Sequence, residues 1–93
     1  MIAFETGQIY VTRGIGILIG ESDEFRKFIT ESFTRYVNED WGDLCDEDKQ
    51  MNDDAVRYND GRILGRYNNA LGDIYIITEW DRSVTTILLT EEY

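Results

Sequence analysis

The chain has no histidine, no proline and a single cysteine, and its 9 Lys and Arg are outnumbered by 19 Asp and Glu. Without histidine, the side chain that most often serves as a general base near neutral pH is missing, and Ser22, Ser32 and Ser83 have no partner that would mark a nucleophile. The lone Cys45 excludes an intrachain disulfide and a cysteine metal cage, and among Asp46, Glu47 and Asp48 it reads as a spectator and not a nucleophile. No run of about 18 apolar residues occurs, so a membrane span is not expected. The stretch MIAFETGQIY has neither the basic nor the apolar region of a secretory leader, which predicts a cytoplasmic protein. The net charge of −10 argues against direct binding of nucleic acid or an anionic membrane, because those surfaces need Lys and Arg to displace counterions. The partners to expect are basic proteins.

What is present describes one folded domain, residues 1 to 93. The 42% apolar and 13% aromatic content is globular, and no repeat or low-complexity linker divides the chain. GQIYVTRGIG places β-rich Ile9, Tyr10, Val11 and Thr12 between glycines and predicts a strand over residues 7 to 13. ILIG after it reads as a strand extension or as an apolar loop under a helix. The period then changes: Phe25, Phe28, Ile29, Phe33, Tyr36 and Val37 recur at helical spacing, with Ser22 as N-cap and Asp23 and Glu24 in the positive first turn. A second helix is expected over residues 46 to 59, with Leu44, Met51, Ala55 and Tyr58 as its core stripe and Gly61 to end it. Strands follow at RILGRYNN, DIYIITEWD and VTTILLT, the last two pairing antiparallel around the DRS turn. Gly65 within its strand suggests a bulge or a close helix approach. The order βααβββ predicts an α+β fold, with two helices on one face of a roughly four-stranded antiparallel sheet.

Three catalytic or metal-binding patterns fail on spacing. Glu79 and Asp81 share a strand face and a spacing that can hold a divalent metal, but the position where restriction-type nucleases carry a lysine is Asp81 itself. Arg82 is better read as an exposed ion pair with these acids, worth a few tenths of about 1 kcal/mol. Gly14, Gly16 and Gly20 of GIGILIG lack the Lys-Ser/Thr of a phosphate loop. Asp46, Asp48, Asp53 and Asp54 never reach EF-hand spacing. No catalytic residue, metal or cofactor is therefore assigned, and the chain is not expected to be an enzyme.

The remaining feature is EDWGDLCDEDKQMNDD, residues 39 to 54, in which Lys49 is the one cation. Asp46 and Asp53 fall opposite the expected apolar stripe, Glu47 and Asp54 flank it, and Glu39, Asp40 and Asp43 precede the helix. Neighbouring carboxylates on a helix lie about 5–6 Å apart, the order of phosphate spacing along a nucleic-acid strand, so this ridge could fill a nucleic-acid groove on another protein. The plainer alternative is a solvated acidic surface that keeps the protein soluble. Trp41 among these acids is either an interface anchor or a plug between helices.

TGQIYVTRG, RYVNEDWGDL, DEDKQMND and ITEWDRSVTTILLTEEY together resemble a family of small uncharacterised acidic proteins, termed plasmid-related, from mobile elements of Gram-positive bacteria. The likeness spans nearly the whole chain, although that family often ends in a Pro-Glu-Glu-Tyr-like tail where this chain has Thr90, Glu91, Glu92 and Tyr93. The resemblance implies a setting in which small acidic proteins counter host defences, as anti-CRISPR and anti-restriction proteins do. With the acidic ridge it leads to the expectation of an inhibitor whose partner is a CRISPR effector or restriction nuclease, and the ridge itself supplies the expected binding residues Glu39, Asp40, Trp41, Asp43, Asp46, Glu47, Asp53 and Asp54. The alternative is a regulatory or structural module of the element, with a homodimer as one form.

Overall fold

A computed structural model describes residues 3–93. Its elements are β1 (Gln8–Val11), α1 (Arg13–Glu21), α2 (Asp23–Val37), α3 (Asp46–Tyr58), β2 (Ile63–Tyr67), β3 (Ile74–Thr78) and β4 (Val84–Leu89), with a 3₁₀ turn at Thr90–Glu92. The strands form one sheet in the order β1-β4-β3-β2. β3 pairs antiparallel with both β2 and β4, as the hairpin pattern predicts, whereas β1 lies parallel to β4. The α+β class stands, but the sheet is mixed and carries three helices. A strand from one end of the sequence joins one from the other only through the intervening helices and strands, and no local pattern announces that connection.

The unexpected helix is α1. The strand predicted over residues 7 to 13 stops at Val11, and Ile15, fully buried, lies with Leu18 and Ile19 against the core at helical spacing. Thr12 makes no capping bond through its own side chain. Instead, the Glu92 carboxylate accepts from the Thr12 hydroxyl (2.6 Å), the Leu89 N–H (2.9 Å) and the Gly14 N–H (3.2 Å). These donors hold the Glu92 carboxyl below the usual glutamate range, the Thr12 bond contributing most,. A distant carboxylate thus satisfies the start of α1. α2 begins as its sequence predicts, with Ser22 Oγ accepting the Phe25 N–H at 3.1 Å, and it buries Phe25, Ile29, Ser32 and Tyr36,.

Strand alternation gives the sheet its inner face. Ile63 and Tyr67, then Ile74, Ile76 and Thr78, then Thr85, Ile87 and Leu89 are buried against the helices,. Gly65 belongs to this row because a side chain there would run into Tyr36 and Tyr67; the close helix approach, not a bulge, explains it. Two threonines in this apolar layer need partners and form a relay. Tyr36 Oη lies 2.7 Å from Thr78 Oγ1, Thr78 Oγ1 lies 2.7 Å from Thr85 Oγ1, and the Thr85 hydroxyl donates to the Thr6 carbonyl at 2.7 Å. Burial raises the Tyr36 hydroxyl far above the ordinary tyrosine range, so it stays a neutral donor,.

α3 is rotated from its expected position. Met51 and Tyr58 are exposed, while Asn52 and Ala55 face inward. Asn52 accepts the Leu64 N–H (3.1 Å) and donates to the Leu64 carbonyl (2.7 Å), replacing a neighbouring strand at the outer side of β2,. The helix closes at Asn59, in the left-handed region at φ 51°, two residues before the expected Gly61,. No helix among the described residues is long and apolar enough to cross a membrane.

Arg82 does not form the expected ion pair. Only 9% exposed, it donates to the carbonyls of Gly61 (2.7 Å), Ala55 (2.9 Å), Glu79 (3.2 Å) and Trp80 (3.3 Å). Its guanidinium therefore ties the C-terminal end of α3 to the β3–β4 turn. The turn's own closure comes from Asp81, whose carboxylate accepts from the Ser83 hydroxyl (2.6 Å) and N–H (3.0 Å),.

Candidate protein-binding site

The segment before α3 is fixed by its own acids. Arg35 grips Asp40 with two bonds of 2.8 and 3.2 Å, and this pairing holds the Asp40 carboxyl below the usual aspartate range,. Asp40 also accepts the Gly42 N–H (3.2 Å), while its carbonyl accepts from the Tyr67 hydroxyl (2.7 Å). Trp41 and Asp43 bracket the outer side of β2: Arg66 N–H donates to the Trp41 carbonyl (3.1 Å), and Asp43 N–H donates to the Arg66 carbonyl (2.7 Å). Gly42 sits between them at φ 78°, where any Cβ would overlap the Arg66 carbonyl,. The Asp43 carboxylate accepts the Asn68 N–H at 2.9 Å.

Trp41 is a plug rather than an anchor. It is 3% exposed, stacks edge-on to Tyr36 at 5.6 Å and packs near Phe4 at 5.9 Å. Its indole N–H finds the one polar partner it needs in Asp53, at 2.8 Å,. The eight residues predicted from sequence therefore divide. Asp40, Trp41, Asp43 and Asp53 hold the loop and α3 in place, although the three carboxylates remain on the exposed side. Glu39, Asp46, Glu47 and Asp54 are exposed and form none of the ion pairs among the described residues; Asp54 accepts only from Gln50, at 3.1 Å. Asp46, Glu47 and Asp48 fill the first turn of α3, where the helix dipole offsets part of their mutual repulsion,.

Beside this ridge lies a feature that the sequence pattern did not reveal. A groove of about 400 Å³ beside α3 is lined by Leu44, Met51, Ala55 and Leu64 together with Asp48, Asp60 and Arg62. A more polar cavity of about 540 Å³ shares Leu44, Asp48 and Leu64 with it and reaches Arg66, Tyr75 and Tyr93. Arg66 lies over the Tyr75 ring at 5.5 Å and near Asp73 at 3.6 Å, so this end is internally neutralised. The exposed Met51 was the available sequence signal: as an apolar residue one position from the true inward face, it marks a flank and not a core. The arrangement offers unpaired carboxylates along a rigid helix next to an apolar slot. It offers no nucleophile with an aligned base, and no group of three or more acidic or cysteine side chains among the described residues could hold a metal ion.

No family model, curated protein or solved structure proves significantly similar to this chain.

Proposed function

We propose that this protein is a non-catalytic inhibitor that docks the acidic face of α3 and the loop before it into the basic groove of a nucleic-acid-handling protein. The observation that supports this reading most directly is the row of exposed carboxylates at Asp46, Glu47 and Asp54, held on a tied-down helix and in none of the ion pairs among the described residues. Fixed charges lose less entropy on binding than flexible ones, and unpaired ones need not break an ion pair first. The neighbouring slot at Leu44, Met51 and Leu64 supplies an apolar contact of the kind that turns charge attraction into a specific interface,. The resemblance to plasmid-related proteins of mobile elements points to a host defence nuclease, such as a CRISPR effector or restriction enzyme, as the target.

The test is charge reversal that spares the structural acids. Asp46, Glu47 and Asp54 are replaced together by Lys, leaving Asp40, Asp43 and Asp53 in place. Binding to purified CRISPR effectors and restriction nucleases, and competition with their nucleic acid, are measured for both proteins. The wild type should compete, with affinity falling as salt shortens the Debye length from about 8 Å to about 3 Å near 1 M, and the folded triple-Lys variant should not. Full inhibition by that variant refutes mimicry of nucleic acid. If no nuclease binds the wild type, a regulatory module of the mobile element becomes the better reading.

A further inference from the structure

The two edges of the sheet are treated differently. At β2 every outward group that could recruit another strand is engaged: Leu64 by the Asn52 side chain, and Arg66 by Trp41 and Asp43. At β1 the outer side pairs with no described strand, and all four residues are exposed. Gln8 N–H donates to the Ser83 carbonyl (3.0 Å) and Thr12 N–H to the Ile87 carbonyl (3.1 Å), both toward β4. Alternation then turns the N–H and C=O of Ile9 and Val11 outward, unpaired. The side chains are equally unfinished. Ile9 and Val11 share the face of their β4 partners Thr85 and Ile87, which are buried, yet remain 48% and 46% exposed, while α1 packs against β4. Tyr10, on the opposite face, is 56% exposed.

We infer that β1 is a self-association edge, where a second copy of this chain adds its own β1 antiparallel about a two-fold axis to give a continuous eight-stranded sheet. Charge selects the occupant. In a chain of net charge −10, residues 6 to 12 carry no charge, with Glu5 before them and Arg13 after. Two copies can therefore meet here without opposing carboxylates, which the acidic α3 face forbids. A two-fold centred on Tyr10 sets Ile9 opposite Val11 of the partner subunit, and the outward N–H and C=O groups of each pair close four hydrogen bonds. Tyr10 then faces Tyr10 of the partner subunit at the closer, non-hydrogen-bonded position, where aromatic pairs are favoured. The inference does not rest on the nuclease reading, since the acidic face and the β1 edge use separate residues.

Sedimentation equilibrium of the full chain, with amide hydrogen exchange followed by NMR over the same concentrations, tests it. The wild type should shift from monomer to dimer with concentration, and the Ile9 and Val11 amides should gain protection in step. Tyr10→Glu places two like charges opposite each other on an exposed side chain, and Val11→Lys puts a charge on the pairing edge; each should weaken dimerisation by about tenfold or more while the circular dichroism spectrum stays unchanged. A wild type that stays monomeric to about 1 mM overturns the inference. So does a dimer that forms with the Ile9 and Val11 amides unprotected, a result that needs no variant to fold.

Discussion

Replacing Arg82 by Ala should be far more damaging than removal of a surface charge. The guanidinium makes two short bonds, to Gly61 at 2.7 Å and Ala55 at 2.9 Å, and two longer ones within its own turn. The Ala55 bond is buried and charge-assisted, worth about 1.5–3 kcal/mol, although that carbonyl keeps two backbone donors, the Asn59 N–H and the Asp60 N–H at 3.1 Å. Gly61 is exposed, so water replaces much of what its carbonyl loses. The sum is a loss of about 2–3 kcal/mol, or roughly 8–24 °C in Tm for a domain of this size. A second substitution separates side chain from backbone. Arg82 sits at φ 62°, so Arg82→Gly loses the same bonds but relieves the left-handed strain, and should be about 1 kcal/mol more stable than Arg82→Ala. Urea unfolding followed by circular dichroism measures both. An Ala variant within about 1 kcal/mol of wild type would show that the carbonyl clamp is dispensable and that the turn closes itself.

Two further outcomes follow from single contacts. Asp53→Ala strips the acceptor from the buried Trp41 indole and should cost about 1–2 kcal/mol in urea unfolding, with a changed tryptophan emission, whereas Asp54→Ala beside it should stay within about 0.5 kcal/mol; equal effects would refute the division of the ridge into structural and free acids. Glu92, whose folded-state pKa is depressed, stabilises the protein above the ordinary glutamate value of 4.5 and loses that contribution as pH falls through its lower folded value,; Glu92→Gln should therefore flatten the fall in Tm below about pH 5, and an unchanged profile would exclude the cap.

The parts legible in the sequence were those whose burial is apolar and local. α2 announces itself through Phe25, Ile29 and Tyr36 together with a capping serine, and the β3–β4 hairpin through alternation. α1 was hidden because Gly14, Gly16 and Gly20 lower helix propensity and Ile15, Ile17 and Ile19 mimic a strand, although Ile15, Leu18 and Ile19 carry the helical spacing. The phase of α3 was misread because its inward residue is Asn52, a polar side chain buried to complete a sheet edge, which apolar periodicity assigns to the surface,. The same rule failed at Arg82, buried by carbonyl partners that lie far away in sequence. The acids of the candidate site can be named from the sequence, but which of them hold the fold and which are in no ion pair depends on Arg35, Asn68 and Trp41 arriving beside them.

The parallel union of β1 with β4 also sets a timetable. The chain that separates Ile9 from its partner Thr85 takes a ribosome roughly 4–15 s to make at 5–20 residues per second. Through that interval Ile9, Tyr10 and Val11 have emerged with no strand of their own chain to join, while α2, built from local contacts, can already form. Closure of the sheet by β1 therefore waits for β4, which is synthesised after α2 and the β2–β3 pair,.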